Sequence, residues 1–150
     1  MNFFVELFSN YPLMSAAIAW LVAQLAKTLV NIIHNRRICF VSLVASGGMP
    51  SSHSASVTAL ATAVGMEGSF SSPSFALAAV LAFIVMYDAT GVRRAAGDQA
   101  RILNSMMEDL DNNHTENVPK HLKELIGHTP LQVFVGAAIG IVIALLVWLI

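Results

Sequence analysis

The chain is a succession of long apolar runs separated by short polar breaks. Its last stretch, 131–150, has no charged residue in 20 positions, which is about the length a helix needs to cross ~30 Å of hydrocarbon. A second run covers 11–33, and its main polar interruptions, Gln24, Lys27 and Asn31, fall near its end. Two shorter runs lie between these, 54–66, rich in Ala, Val and Thr, and 75–87. Extended through their polar neighbours, which would then line protein rather than lipid, they give four expected spans: 11–33, 51–67, 72–92 and 129–150. Residues 1–8 are read as an interfacial lead-in.

The breaks are chemically distinct. Gly47-Gly48-Met49-Pro50 interrupts the chain before the second span, and Glu67-Gly68-Ser69 with Ser71-Ser72-Pro73 makes a tight connection to the third. Segment 93–128 is dense in charge and reads as a soluble excursion. In it 101–110 is helix-like, 111–113 is a turn, and 119–126 is a short helix opened by Pro119 and closed by Gly127. The pattern therefore predicts an all-α integral membrane bundle, one domain over 1–150, of about four transmembrane helices with a short helical excursion between the third and fourth.

Composition agrees. Hydrophobic residues make up 56% of the chain and charged ones 11%, against about 25% charged in soluble domains. Net charge is −1, so no basic field marks nucleic acid as a partner. The single Cys39 rules out an internal disulfide or a cysteine-based zinc cluster and reads as a small buried hydrophobe. Residues 1–7 lack the basic start of a secretory signal, so no cleavage is expected.

Charge sets the orientation. The eight basic residues are Lys27, Arg36, Arg37, Arg93, Arg94, Arg101, Lys120 and Lys123. With four spans, all of them fall in the first and third loops or at the helix ends beside these loops. The opposite side carries Glu6 and Glu67. The positive-inside rule then places the charged face in the cytoplasm, in a cell inner (plasma) membrane protein with both termini outside.

The same alternation gathers the polar residues. Lys27 lies near the end of helix 1, Ser51, Ser52 and His53 open helix 2, Asp88, Arg93 and Arg94 close helix 3, and His128 opens helix 4. Cations offset the charge of a phosphate, Arg bidentately. A helix N-terminus adds N–H donors, and Gly48 lets backbone approach closely. One imidazole can attack phosphorus while another protonates the leaving oxygen.

These residues also carry a resemblance. Met49-Pro50-Ser51-Ser52-His53-Ser54 resembles the Pro-Ser-Gly-His motif of the type-2 phosphatidic acid phosphatase superfamily, which includes the vanadium haloperoxidases. The segment from Gly127-His128-Thr129-Pro130 to Gln132 and Gly136 resembles that superfamily's last motif, in which a histidine is followed by Pro, Asp and Gly two, four and eight positions on. With Tyr87-Asp88-Ala89-Thr90-Gly91-Val92-Arg93-Arg94 between them, the blocks are similar to the family's divergent bacterial and plastid branch. The resemblance implies His128 as the nucleophile forming a phosphohistidine and His53 as the general acid. It implies Ser51, Ser52 and the Gly48 backbone as the phosphate cradle, Lys27 as the first-motif lysine, and Arg93 or Arg94 as the phosphate-binding arginine. No metal or cofactor is implied, and vanadate or phosphate is an expected occupant.

The chain departs from the pattern in several places. Leu122 stands six residues before His128, where the family has arginine. Ser52 replaces the motif glycine, and Gln132 replaces the aspartate that orients the nucleophile, leaving Asp88 as a possible source of that carboxylate. Seven residues after Lys27 comes His34, so Arg36 or Arg37 must replace the first-motif arginine. Plainer readings stand beside these. Lys27 can snorkel from a helix end, Arg36 and Arg37 can act only as topology determinants, and Arg94, Asp98 and Arg101 can form a solvated ion-pair face. His34, His114 and His121 read as surface residues, and Asp109-Leu110-Asp111-Asn112 as a turn.

The expected activity is hydrolysis of a lipid-linked phosphomonoester or pyrophosphate by a metal-independent histidine phosphatase in contact with membrane lipids, with a second protomer able to complete a small groove. The alternatives are a non-catalytic phosphate or phospholipid binder or transport element, and a structural subunit. The last predicts that His53 and His128 do not meet.

Overall fold

The polar breaks in the sequence become helix caps. In the computed structural model, residues 2–35, 48–111, 122 and 127–150 are described. Among them six helices follow in order: α1 Phe3–Phe8, α2 Tyr11–Asn35, α3 Ser52–Glu67, α4 Pro73–Thr90, α5 Val92–Asp111 and α6 Pro130–Trp148. Ser51 caps α3 by accepting from the Ser54 amide, Ser72 caps α4 by accepting from that of Phe75, and Thr129 caps α6 by accepting from that of Gln132. Each hydroxyl satisfies an amide that has no partner within its helix. Pro73 and Pro130 open their helices, where a missing N–H costs nothing.

The packing is inverted relative to a water-soluble protein. Ala19, Ala23, Ala55, Ala59, Ala63 and Ala144 form a fully enclosed cluster, and Ser15, Ser51, Ser52 and Ser54 are buried as well. The bulky apolar residues point outward, among them Leu25 and Leu29 on α2, Leu77 and Phe83 on α4, and Phe134 and Leu146 on α6. Lipid is as apolar as leucine, so burying leucine gains little there, and small residues win the interior because they let helix backbones approach. Added Cβ atoms show how close that approach is. On Gly136 one would collide with the Ser51 carbonyl, and on Gly140 with the Ala55 carbonyl and the Thr58 hydroxyl.

α3 is the inner helix, packed against α2, α4 and α6. Among the described residues three helical stretches are long and apolar enough to cross a membrane: Tyr11–Ile33, Pro73–Met107 (α4 and most of α5) and Pro130–Trp148. α3 differs from them in having 16 residues, about 24 Å at 1.5 Å per residue, and its neighbours shield it. The protein is thus an all-helical membrane bundle.

The chain direction alternates as the loops require. At one end the Tyr11 hydroxyl donates to the Ala144 carbonyl at 2.6 Å, and its ring meets Trp148 edge-on at 5.1 Å. At the other end the Ser51 amide donates to the Gln132 carbonyl at 3.1 Å and the His128 amide to the Ala89 carbonyl at 3.0 Å. The helix expected over 101–110 lies inside α5, which starts directly after Gly91 and runs through Asp111, so 109–111, expected in a turn, are helical instead. On α5 Arg101 pairs with Asp98 at 3.2 Å. Arg36, Arg37, Cys39, His114, Lys120, His121 and Lys123 lie outside the described residues, as do the side chain of His34, the 112–113 part of the expected turn, and all of the 119–126 helix except Leu122.

Candidate functional site at the polar helix ends

The end that joins α2, α3, α4 and α6 holds the polar side chains. His53, in the first turn of α3, and His128, two residues before α6, bring their ring centroids to 6.4 Å with planes tilted by 58°. His128 is 2% exposed, while His53 is half-buried. Lys27 reaches the same end from α2 and is buried, its Cγ 3.5 Å from the Cβ position of Gly48. Gly48 has φ 97°, a left-handed conformation that favours glycine, and its missing side chain leaves room for the lysine stem.

The bonds around His128 fix its chemistry. Gln132 Oε1 accepts from the Thr129 backbone N–H at 3.1 Å and also lies 3.2 Å from His128 Nδ1. A backbone N–H can only donate, so the atom facing it is the amide oxygen, and that oxygen can only accept from Nδ1. The ring therefore carries its proton on Nδ1 and a bare lone pair on Nε2. Nε2 is buried and has no hydrogen-bond partner among the described residues. Burial holds the imidazole below its ordinary value of 6.5, opposed by the Gln132 hydrogen bond and reinforced by Lys27, His53 and Arg93 nearby. The arrangement favours a neutral, nucleophilic ring.

The serines form the floor. Ser51, Ser52 and Ser54 are buried. Ser51 Oγ accepts from the Ser54 hydroxyl at 2.9 Å and from the Ser54 amide at 3.3 Å, which leaves its own proton free to be donated. The arginines separate in role. Arg93 Nε donates to Asp88 Oδ2 at 2.6 Å, and Arg93 lies close enough to act on His128 electrostatically. Arg94 is exposed, with its backbone against Gly127. The Asp88 carboxylate is thus engaged with Arg93, and the group behind His128 Nδ1 is Gln132.

The structure brings together Lys27, Gly48, Ser51, Ser52, His53, Asp88, Arg93, His128 and Gln132, with Arg94 at the margin. Sequence reasoning missed Thr129, whose backbone fixes the glutamine. The signal was present, because Thr129 and Gln132 have capping-box spacing and both reciprocal bonds form.

Comparison with known proteins places this site in a lineage. A Bacillus subtilis (strain 168) protein, "Uncharacterized membrane protein YuiD", is 42% identical over 151 aligned residues, covering 94% of this chain and 96% of that protein. No solved structure matches. The family model described as "Divergent PAP2 family" matches residues 8–143, a stretch that contains every residue of the site, and the chain belongs to that family.

Proposed function

We propose that this protein is a membrane-embedded phosphohydrolase that cleaves a phosphomonoester or pyrophosphate, lipid-linked in the first instance, through a phosphohistidine. The observation that carries the reading is His128, buried, locked with its proton on Nδ1 and its bare Nε2 beside a second histidine. In the first half-reaction Nε2 attacks phosphorus, the bond from phosphorus to the leaving oxygen breaks, and His53 gives that oxygen its proton. In the second, His53 takes a proton from water, the water oxygen attacks the phosphohistidine, and the N–P bond breaks to release inorganic phosphate and neutral His128. Lys27 and Arg93 offset the phosphate's charge. The distribution of basic residues supports a site on the cytoplasmic face of the plasma membrane, by the positive-inside rule.

A second reading has its own support. Gln132 holds the imidazole without adding negative charge, and Asp88 is occupied by Arg93. A binder of phosphate or phospholipid that has lost turnover would show these features. Phosphate release by purified protein in detergent, followed with malachite green against lipid phosphates, isoprenoid phosphates and soluble phosphoesters, separates the two. The hydrolase reading expects release that His128→Ala abolishes. A wild type inert toward every class but stabilised by phosphate would leave the binder.

A further inference from the structure

Asn104 lies on α5, three turns beyond Arg93, and is 4% exposed. Its side-chain amide makes two bonds to the backbone of one distant residue. Nδ2 donates to the Leu122 carbonyl at 2.9 Å, and Oδ1 accepts from the Leu122 amide at 2.8 Å. A carboxamide that satisfies both polar groups of a single residue holds it as a neighbouring strand would. On α5, Gly97 and Ala100 are buried with Asn104 at spacings of three and four, so the amide emerges from the helix face turned toward protein.

Two further contacts tie the same return segment to the same helices. Gly127 lies so close to the Arg94 backbone that it has no room for a Cβ, and the His128 amide donates to the Ala89 carbonyl at 3.0 Å. The chain entering His128 is therefore fastened at Leu122, Gly127 and His128 to residues 104, 94 and 89 of one continuous stretch. That stretch also carries Asp88 and Arg93. The relative placement of the arginine and the buried histidine then depends on how α5 is fixed to the return segment.

We propose that Asn104 is a positioning residue for His128: its paired bonds to Leu122, together with the contact of Arg94 on Gly127, fix α5 and its Arg93 relative to the imidazole. Asn104 lies three turns along α5 from Arg93, and its effect reaches His128 through α5, whose Arg94 backbone meets Gly127. The kinetic part of this proposal rests on the phosphohydrolase reading, whereas the structural part does not.

The test uses the full chain in detergent, with Asn104→Ala removing both bonds and Asn104→Asp keeping the acceptor while losing the donor. Carbethoxylation of each histidine by diethyl pyrocarbonate is followed by mass spectrometry, with His53 as the internal reference. The expected result is a several-fold faster reaction of His128 in Asn104→Ala, a smaller gain in Asn104→Asp, and His53 unchanged. Where turnover is measurable, kcat should fall by about tenfold or more, the scale expected when a reacting group is misplaced by a fraction of an ångström to 1 Å, with KM nearly unchanged. If Asn104→Ala does not fold, Asn104→Asp decides. Equal His128 reactivity in the folded variants and the wild type would overturn the proposal. A wild type without phosphatase activity removes only the phosphohydrolase reading, because the carbethoxylation comparison still decides the positioning role.

Discussion

Gln132 Oε1 lies 3.2 Å from His128 Nδ1, and the Thr129 N–H fixes which end of the amide faces the ring. This pair determines the tautomer of the buried histidine, and it does so with a neutral group. A carboxylate in the same place would also favour the imidazolium by charge.

Replacing the amide by a carboxylate of equal length tests that difference. Gln132→Glu keeps both hydrogen bonds and should raise the His128 pKa by about one unit or more, the usual effect of an adjacent opposite charge. The acid limb of the kcat/KM profile should move to higher pH by the same amount. Gln132→Leu removes the acceptor from both Thr129 and His128 and should lower kcat by at least about tenfold, as loss of a group orienting a reactive histidine commonly does. An unchanged profile in Gln132→Glu would show that the amide does not govern the ring.

Burial that lowers the His128 pKa also links stability to pH. An unfolded chain protonates this histidine as pH falls through about 6.5, while the folded chain resists. The unfolded state then binds more protons, so this contribution is present above that pH and is lost as pH falls below it. The melting temperature in detergent should drop between about pH 7.5 and 5.5, and His128→Gln should make that drop shallower.

The two histidines should fail differently. On the phosphohydrolase reading, His128→Ala should abolish turnover of every substrate, since that reading requires a phosphoenzyme on this residue. His53→Ala should retain more activity on p-nitrophenyl phosphate than on an alkyl phosphate, because a good leaving group hardly needs a proton. Acid-labile, base-stable phosphate on quenched wild type, absent from His128→Ala, is the direct measurement.

An anion that prefers the folded state should protect it. Phosphate or vanadate at about 100 times its dissociation constant should stabilise by about 2.7 kcal/mol. A thermal shift in the wild type that disappears in a Lys27→Met, Arg93→Met double variant would locate the anion at these helix ends. An equal shift in the double variant would place it elsewhere.

Packing gives a prediction independent of chemistry. Gly140→Val forces a side chain into the Ala55 carbonyl and the Thr58 hydroxyl, and overpacking of this kind costs about 1–3 kcal/mol. Ala138→Val, on the exposed side of α6, should cost far less. Melting in detergent compares the two.

Much of this protein was fixed locally and can be read from residue order. Apolar runs 11–33 and 131–150 are long enough to require helices in lipid, because no other backbone arrangement within one segment satisfies its N–H and C=O groups. Ser51, Ser72 and Thr129 mark helix starts because their hydroxyls can reach amides three residues on. Alternation of direction then brings His53 and His128 to one end whatever the details of packing. What sequence order could not supply was distance across the bundle. α3 became the inner helix because its alanines and serines, with Gly136 and Gly140 opposite, let backbones approach where leucines would hold them apart. The partner of Asp88, Arg93 on the far side of the break at Gly91, is likewise set by side-chain geometry that residue order does not give. The bonds from Asn104 to Leu122 join residues 18 positions apart, a pairing that only the tertiary course of the chain creates.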